Sequence, residues 1–186
     1  MFDFGVPGYR PQWLNGLRTV TAAHGDRLHA LAGRPLTHLW LVWDLGDDTW
    51  FADCPVLVDF GGAQIEINNQ KFDDLSITWN TVDPGRPMAW PRSEDPYDFE
   101  RRAERGQPGP GQPEPEWQDR TPPELRGQPL QAAEFVAWAG PKGDMANGAV
   151  HVEFTLPGGG FTIFNALDEN GIEYSLPAPR TGPATR

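Results

Sequence analysis

Apolar and polar residues alternate with a period of two along two separate stretches of this chain. Val56, Val58 and Phe60 alternate with Leu57 and Asp59; beyond Gly61-Gly62, Ala63, Ile65 and Ile67 face one way and Gln64 and Glu66 the other. Leu75, Ile77 and Trp79 alternate with Ser76 and Thr78, and far downstream Val150, Val152 and Phe154 alternate with His151 and Glu153. Period two is the signature of antiparallel strands with one face on a core. From Leu39 to Trp43 every position is apolar, which predicts a strand covered on both faces. Gly61-Gly62 and Pro157 to Gly160 carry hairpin chemistry. Asp168-Glu169-Asn170-Gly171 predicts another turn, with Gly171 in the left-handed region.

A helical period shows only near the start. Trp13, Leu17 and Val20, then Leu28 and Leu31, predict one or two short helices over 11–32, stopped by Gly33 with Pro35 beyond.

The two β stretches resemble each other. Gly33-Arg34-Pro35-Leu36 returns as Gly127-Gln128-Pro129-Leu130, about 95 residues later. Trp43 returns as Trp138, Val56 to Phe60 as Val150 to Phe154, and Asn68 to Trp79 as Asn165 to Leu176. An internal repeat of this length predicts duplicated architecture. The expected fold is mainly β. Two β-rich repeats, about 34–80 and 128–176, form a pseudo-twofold antiparallel barrel or sandwich with a short N-terminal helical segment. The divisions are 1–33 helical, 34–83 first repeat, 84–126 a Pro-rich exposed insertion, 127–176 second repeat, and 177–186 a disordered tail. The insertion holds ten of the twenty prolines, and its Gly/Gln/Glu/Pro centre cannot bury a core. Its aromatics Trp90, Tyr97, Phe99 and Trp117 flank that centre and are expected to dock its ends.

Charge narrows the function. The formal net charge is −11, and it sits on the repeats: 34–83 carry nine acids against two bases, 127–176 six against one. Such a field repels phosphate, so neither nucleic acid nor an anionic membrane is expected as partner. It would steer in a basic protein. Met1-Phe2-Asp3-Phe4-Gly5 has no basic or apolar leader character, and the lone Cys54 permits no internal disulfide, so a reducing cytoplasm is expected. Cys54 itself reads as a small buried hydrophobe. The scarcity of lysine beside abundant arginine, proline and glycine suggests a GC-rich bacterial source.

Catalytic motifs do not emerge. His24, His29, His38 and His151 lack metal-ligand spacing, and His151-x-Glu153 has no P-C-x-x-C after it. Neither a metal nor a cofactor is expected, and His151 reads as an outward strand residue. Acidic turns are the better candidates for recognition: Asp47 and Asp48, then Asp73 and Asp74. Trp50 and Trp79, present in the first repeat only, join them as binding candidates because aromatic side chains supply hot spots. Trp43 and Trp138 recur at matched positions and are assigned to the core.

The expected function is therefore that of a non-enzymatic acidic cytoplasmic binding protein with a basic protein partner. In size, acidity and compartment the chain resembles immunity or antitoxin-like proteins that neutralise toxins. That resemblance rests on no motif. The alternative is a small β-barrel enzyme, of cyclase or isomerase type, acting on an apolar molecule in an enclosed cavity.

Overall fold

The computed structural model describes residues 5–88 and 115–176. Among them lie β1 (Trp13–Leu14), α1 (Leu17–His29), β2 (His38–Asp44), β3 (Thr49–Trp50), β4 (Val56–Asp59), β5 (Gln64–Gln70) and β6 (Asp74–Trp79). After the undescribed segment come β7 (Glu116–Asp119), β8 (Ala132–Ala137), β9 (Val150–Leu156), β10 (Gly159–Asn165) and β11 (Asn170–Ser175). No described helix is long and apolar enough to cross a membrane.

The strands form two antiparallel sheets. The first runs β1-β6-β5-β4-β2, with β3 and β7 also paired to β2; the second runs β11-β10-β9-β8. Each thus contains a four-stranded meander, β6-β5-β4-β2 in one and β11-β10-β9-β8 in the other. The expected mainly-β class holds, but among the described residues no sheet closes on itself. The barrel alternative gives way to two open sheets that share one core.

That core is built from the inward positions of the alternating pattern. Val58, Phe60, Ile65, Ile67 and Ile77 of the first sheet meet Val152, Phe154 and Ile163 of the second, all buried. Phe60 stacks obliquely on Phe154 with centroids 5.5 Å apart, and Phe154 on Phe161 at 4.8 Å. α1 packs against β8 and adds Val20 and Leu28, with Leu31 just beyond it.

Two loops clasp each other where the sheets meet. Gly33 N donates to Leu130 O (2.8 Å) and Gly127 N to Leu36 O (2.7 Å); Leu36 N donates to Gln128 O (2.9 Å) and Leu130 N to Arg34 O (2.8 Å). Gly33 and Gly127 have φ of 81° and 77°, a left-handed turn that a side chain would strain. A second joint is Asn170 of β11, only 1 % exposed. Its Oδ1 accepts from Asn69 N and Nδ2, and its Nδ2 donates to Ala52 O, Cys54 O and Asn68 Oδ1. Every hydrogen-bonding site of this amide is used, as a buried polar group requires.

The far face of the first sheet is covered by its own chain. Val6, Val82, Met88 and Trp117 pack there on Val42, Cys54 and Leu57, with Tyr9 partly buried beside them. Under this cover lies Glu66, fully buried. Its Oε1 accepts from Gln64 Nε2 (3.0 Å), Thr81 N (2.6 Å) and Val82 N (3.2 Å); its Oε2 accepts from Thr81 Oγ1 (2.7 Å) and Thr78 Oγ1. Five donors thus solvate one carboxylate and tie residues 81–82 down. Tyr9 has its hydroxyl buried near Ser76 and Asn68, in good hydrogen-bond geometry to neither, and burial pushes its pKa well up. Cys54 is buried as expected, and burial pushes its thiol up.

Several expectations change. Trp13 belongs to β1, paired with Ser76 of β6, so the helical stretch is a single helix that begins only at Leu17. Residues 116–126 are not an exposed insertion. β7 pairs with β2, Trp117 is buried, and Leu125 is a fully buried part of the shared core. The apolar residues at 117 and 125 outweigh the prolines around them. The low-complexity centre, Trp90, Tyr97, Phe99 and the 177–186 tail lie outside the described residues. Trp117 does dock. In the β10–β11 turn the left-handed residues are Leu167 (φ 64°) and Asp168 (φ 84°), not Gly171.

Candidate functional site

The outer face of the second sheet, turned away from the core, carries the outward half of the alternation. Register places Glu134 opposite Glu153, Glu153 opposite Thr162, and Thr162 opposite Glu173. Three carboxylates therefore line up across four strands. Like charges directly opposite each other destabilise a sheet, and Glu134 and Glu153 are such a pair. The neighbouring row is apolar and aromatic: Val136 opposite His151, then Phe164 opposite Gly171. The His151 ring stacks on Trp138 (centroids 5.7 Å, planes 20° apart) and meets Phe164 obliquely at 5.6 Å.

Gly171 explains why Phe164 can lie flat on this face. A Cβ at Gly171 would fall 2.5 Å from the Phe164 ring. The glycine serves close packing, not a left-handed turn. Gly171→Ala should therefore displace Phe164 and cost about 1–3 kcal/mol, read by urea unfolding together with the near-ultraviolet circular dichroism of the aromatic row. An unchanged aromatic spectrum would mean that the ring does not rest there.

The loop between β8 and β9 walls one side. Trp138 Nε1 donates to Asp144 Oδ2 (3.0 Å), while Asp144 Oδ1 accepts from Ala146 N (2.9 Å). These bonds, the indole's foremost, hold the Asp144 carboxyl below its usual range, so it is ionised at neutral pH. Asn147 pins the loop further, accepting from Gly140 N and donating to Pro141 O. The result is a concavity of about 610 Å³ lined by Trp138, Asp144, His151, Glu153, Phe164 and Glu173 among others, with no lysine or arginine in its lining. Burial lowers the His151 pKa from 6.5. The ring is thus neutral at pH 7 and adds no positive charge. No protein-family model, curated protein or solved structure matches this chain.

The residues singled out in the first repeat are not gathered in one place. β2 and β5 run in the same direction, so the turn with Asp47 and Asp48 and the turn with Asp73 and Asp74 share one end of the first sheet. Trp79 closes β6 at the opposite end. Asp48 accepts from Trp43 Nε1 (2.8 Å). Asp74 is buried, holding Lys71 Nζ (2.7 Å) and Asn15 Nδ2 (2.6 Å). Trp50 packs partly against the core. Trp79 has the Arg27 guanidinium 4.6 Å over its ring and lines a concavity of about 290 Å³ with Arg27 and Arg34. That neighbourhood is cationic and ill-suited to a basic partner. Of the four aspartates, Asp47, Asp48 and Asp73 are exposed with no ion pair among the described residues, and Asp48 is held by the Trp43 indole.

Trp138, assigned to the core, is 44 % exposed. Its position has the outward parity of Glu134 and Val136, so the recurrence of tryptophan was a poor guide. The legible signal lay elsewhere. Val150, Val152 and Phe154 face inward, which turns His151 and Glu153 outward together.

Proposed function

We propose that this is a non-enzymatic acidic binding protein and that its recognition face is the outer surface of the second sheet, with a basic protein as partner. The observation that carries the reading is the open concavity in which Asp144, Glu153 and Glu173 surround Trp138, His151 and Phe164 with no lysine or arginine in the lining. Carboxylates beside aromatic faces are the combination that suits an arginine or lysine side chain: the charge pairs with the acids and the cation lies over a ring. An immunity or antitoxin-like role is the sharpest form of this reading, and a cytoplasmic setting goes with it. The acidic turns at Asp47 and Asp73 then contribute to long-range steering. An enclosed-cavity enzyme is less well supported, because Phe60, Phe154 and Phe161 occupy the space between the sheets.

We further take the two meanders to be copies of one β unit related by a pseudo-twofold axis. The reciprocal Gly33–Leu130 and Gly127–Leu36 bonds and the meeting of Phe60 with Phe154 support this.

The experiment is a titration of the chain with an oligo-arginine peptide, with oligo-glutamate as control. Glu153→Gln with Glu173→Gln should weaken arginine-peptide binding about tenfold or more at low salt and leave the melting temperature within a few degrees. Raising the salt should erase most of the difference. Acidification adds a sign that can be checked. Because the folded pKa of His151 is depressed, its contribution to stability is present above 6.5 and is lost as pH falls through the folded value. Protonation also places a positive charge in the concavity, so peptide affinity should fall over the same window. Affinity equal for both peptides, or indifferent to the two glutamates, would refute the proposed face.

A further inference from the structure

We infer that an extended, basic segment of a partner protein adds as a new strand along the free edge of β11 and lays its side chains across the outer face of the second sheet. The inference rests on the proposed recognition face and says how that face is used.

The first sheet is the internal comparison. There, the edge of β6 is taken by β1, with Trp13 opposite Ser76 and Leu14 opposite Leu75. The chain leading into β1 covers the outer face: Val6 packs in the outer cluster, Tyr9 lies beside it, and Gln12 N donates to Ser76 Oγ (3.0 Å). β11 holds the corresponding edge of the second meander, next to β10 as β6 is next to β5. Among the described residues no strand pairs with its outer edge, although at its first residue Asn170 N donates to Ala52 O (3.1 Å). Nor does any described strand or helix lie over His151, Glu153 and Phe164, where the first sheet has its cover. Among the described residues one sheet is finished by its own chain and the other is open at the same two places.

The edge itself is of the kind that accepts a strand. From Asn170 to Ser175 it carries no proline and no lysine, the usual devices that block pairing. Glu173, Tyr174, Ser175 and Leu176 are exposed, with Tyr174 at 38 % and Leu176 at 40 %. Main-chain hydrogen bonds along such an edge supply affinity, and alternate side chains reaching the face supply specificity. Charge selects the occupant. A strand beside β11 is next in line to Glu173, at the end of the row formed by Glu134 and Glu153. A second copy of this chain would bring net charge −11 to that row and be repelled. A segment with arginine or lysine on one face would neutralise it.

The test uses the full chain and two nine-residue peptides of one sequence, arginine alternating with valine. One has an ordinary backbone. The other is N-methylated at every residue, which keeps its charge and removes its ability to pair as a strand. Affinity is read by calorimetry and edge occupancy by hydrogen exchange at the amides of Ile172 and Tyr174, which alternate with those that face β10. The expected result is binding of the ordinary peptide, at least tenfold slower exchange along β11, and at least tenfold weaker binding of the methylated peptide. Equal binding of the two peptides with unchanged β11 exchange would overturn strand addition and leave the acidic face standing. Binding of neither at low salt would overturn both. Strong protection of the Ile172 and Tyr174 amides in the free chain would show that the protein fills its own edge, and would overturn the partner assignment.

Discussion

Phe154→Ala is expected to lower the unfolding free energy by about 3–5 kcal/mol, and Phe60→Ala by a similar amount. Each ring is fully buried, and the two meet at 5.5 Å where the sheets face each other. Removing either leaves a void lined by rigid strands. The remaining rings are held by their own strands and by Phe161, so the sheets cannot close the gap cheaply. The two losses should not add. Once one ring is gone the other has lost its neighbour, so the double variant should cost less than the sum of the singles. Chemical denaturation of the two single variants and the double variant measures this directly. Strict additivity would mean that the rings stabilise their own sheets without joining them.

Glu66→Ala is the second large effect, expected at about 4 kcal/mol, by a different route. The cost lies in what the carboxylate leaves behind. The backbone N–H of Val82 would be buried with no acceptor, at roughly 1–3 kcal/mol, and the part-buried N–H of Thr81 would lose its acceptor too. Glu66→Gln separates the parts. Its oxygen can still serve Thr81 N and Val82 N, and its NH₂ would face the hydroxyls of Thr78 and Thr81, which can turn and accept. Gln should therefore cost about 1–2 kcal/mol, chiefly the loss of charge-assisted bonds. The alanine variant should also be cut faster by protease near residues 80–88, because the bonds that hold residues 81–82 are gone. Equal costs for Gln and Ala would mean that charge, not the stranded donors, matters there.

The strands and their inward faces were legible because period two is a local signal, written residue by residue in Val56 to Phe60 and Val150 to Phe154. The outer cover of the first sheet was not. Val6, Val82 and Trp117 lie on irregular or short segments whose partners are far away in sequence, and no periodicity marks them. Glu66 was visible only as an outward polar residue; that five donors converge on it depends on how 78–82 folds back. The candidate site failed to emerge for a related reason. Charge density pointed to residues 34–83, but Asp74 there is paired with Lys71, while three of the six acids in 127–176 are aligned by register into one row. Counting charges cannot reveal which are already answered.

The clasp between residues 33–36 and 127–130 sets an order of events for a chain made from its N-terminus. Leu28, Leu31 and Leu36 share their core with Leu125 and Leu130, and Gly33 and Leu36 find their hydrogen-bond partners only there. At roughly 5–20 residues per second of synthesis, the first sheet waits several seconds with its inner face unsealed. During that interval its apolar strands are the surface a holding chaperone would meet, and the proline-rich stretch between the halves lengthens the wait.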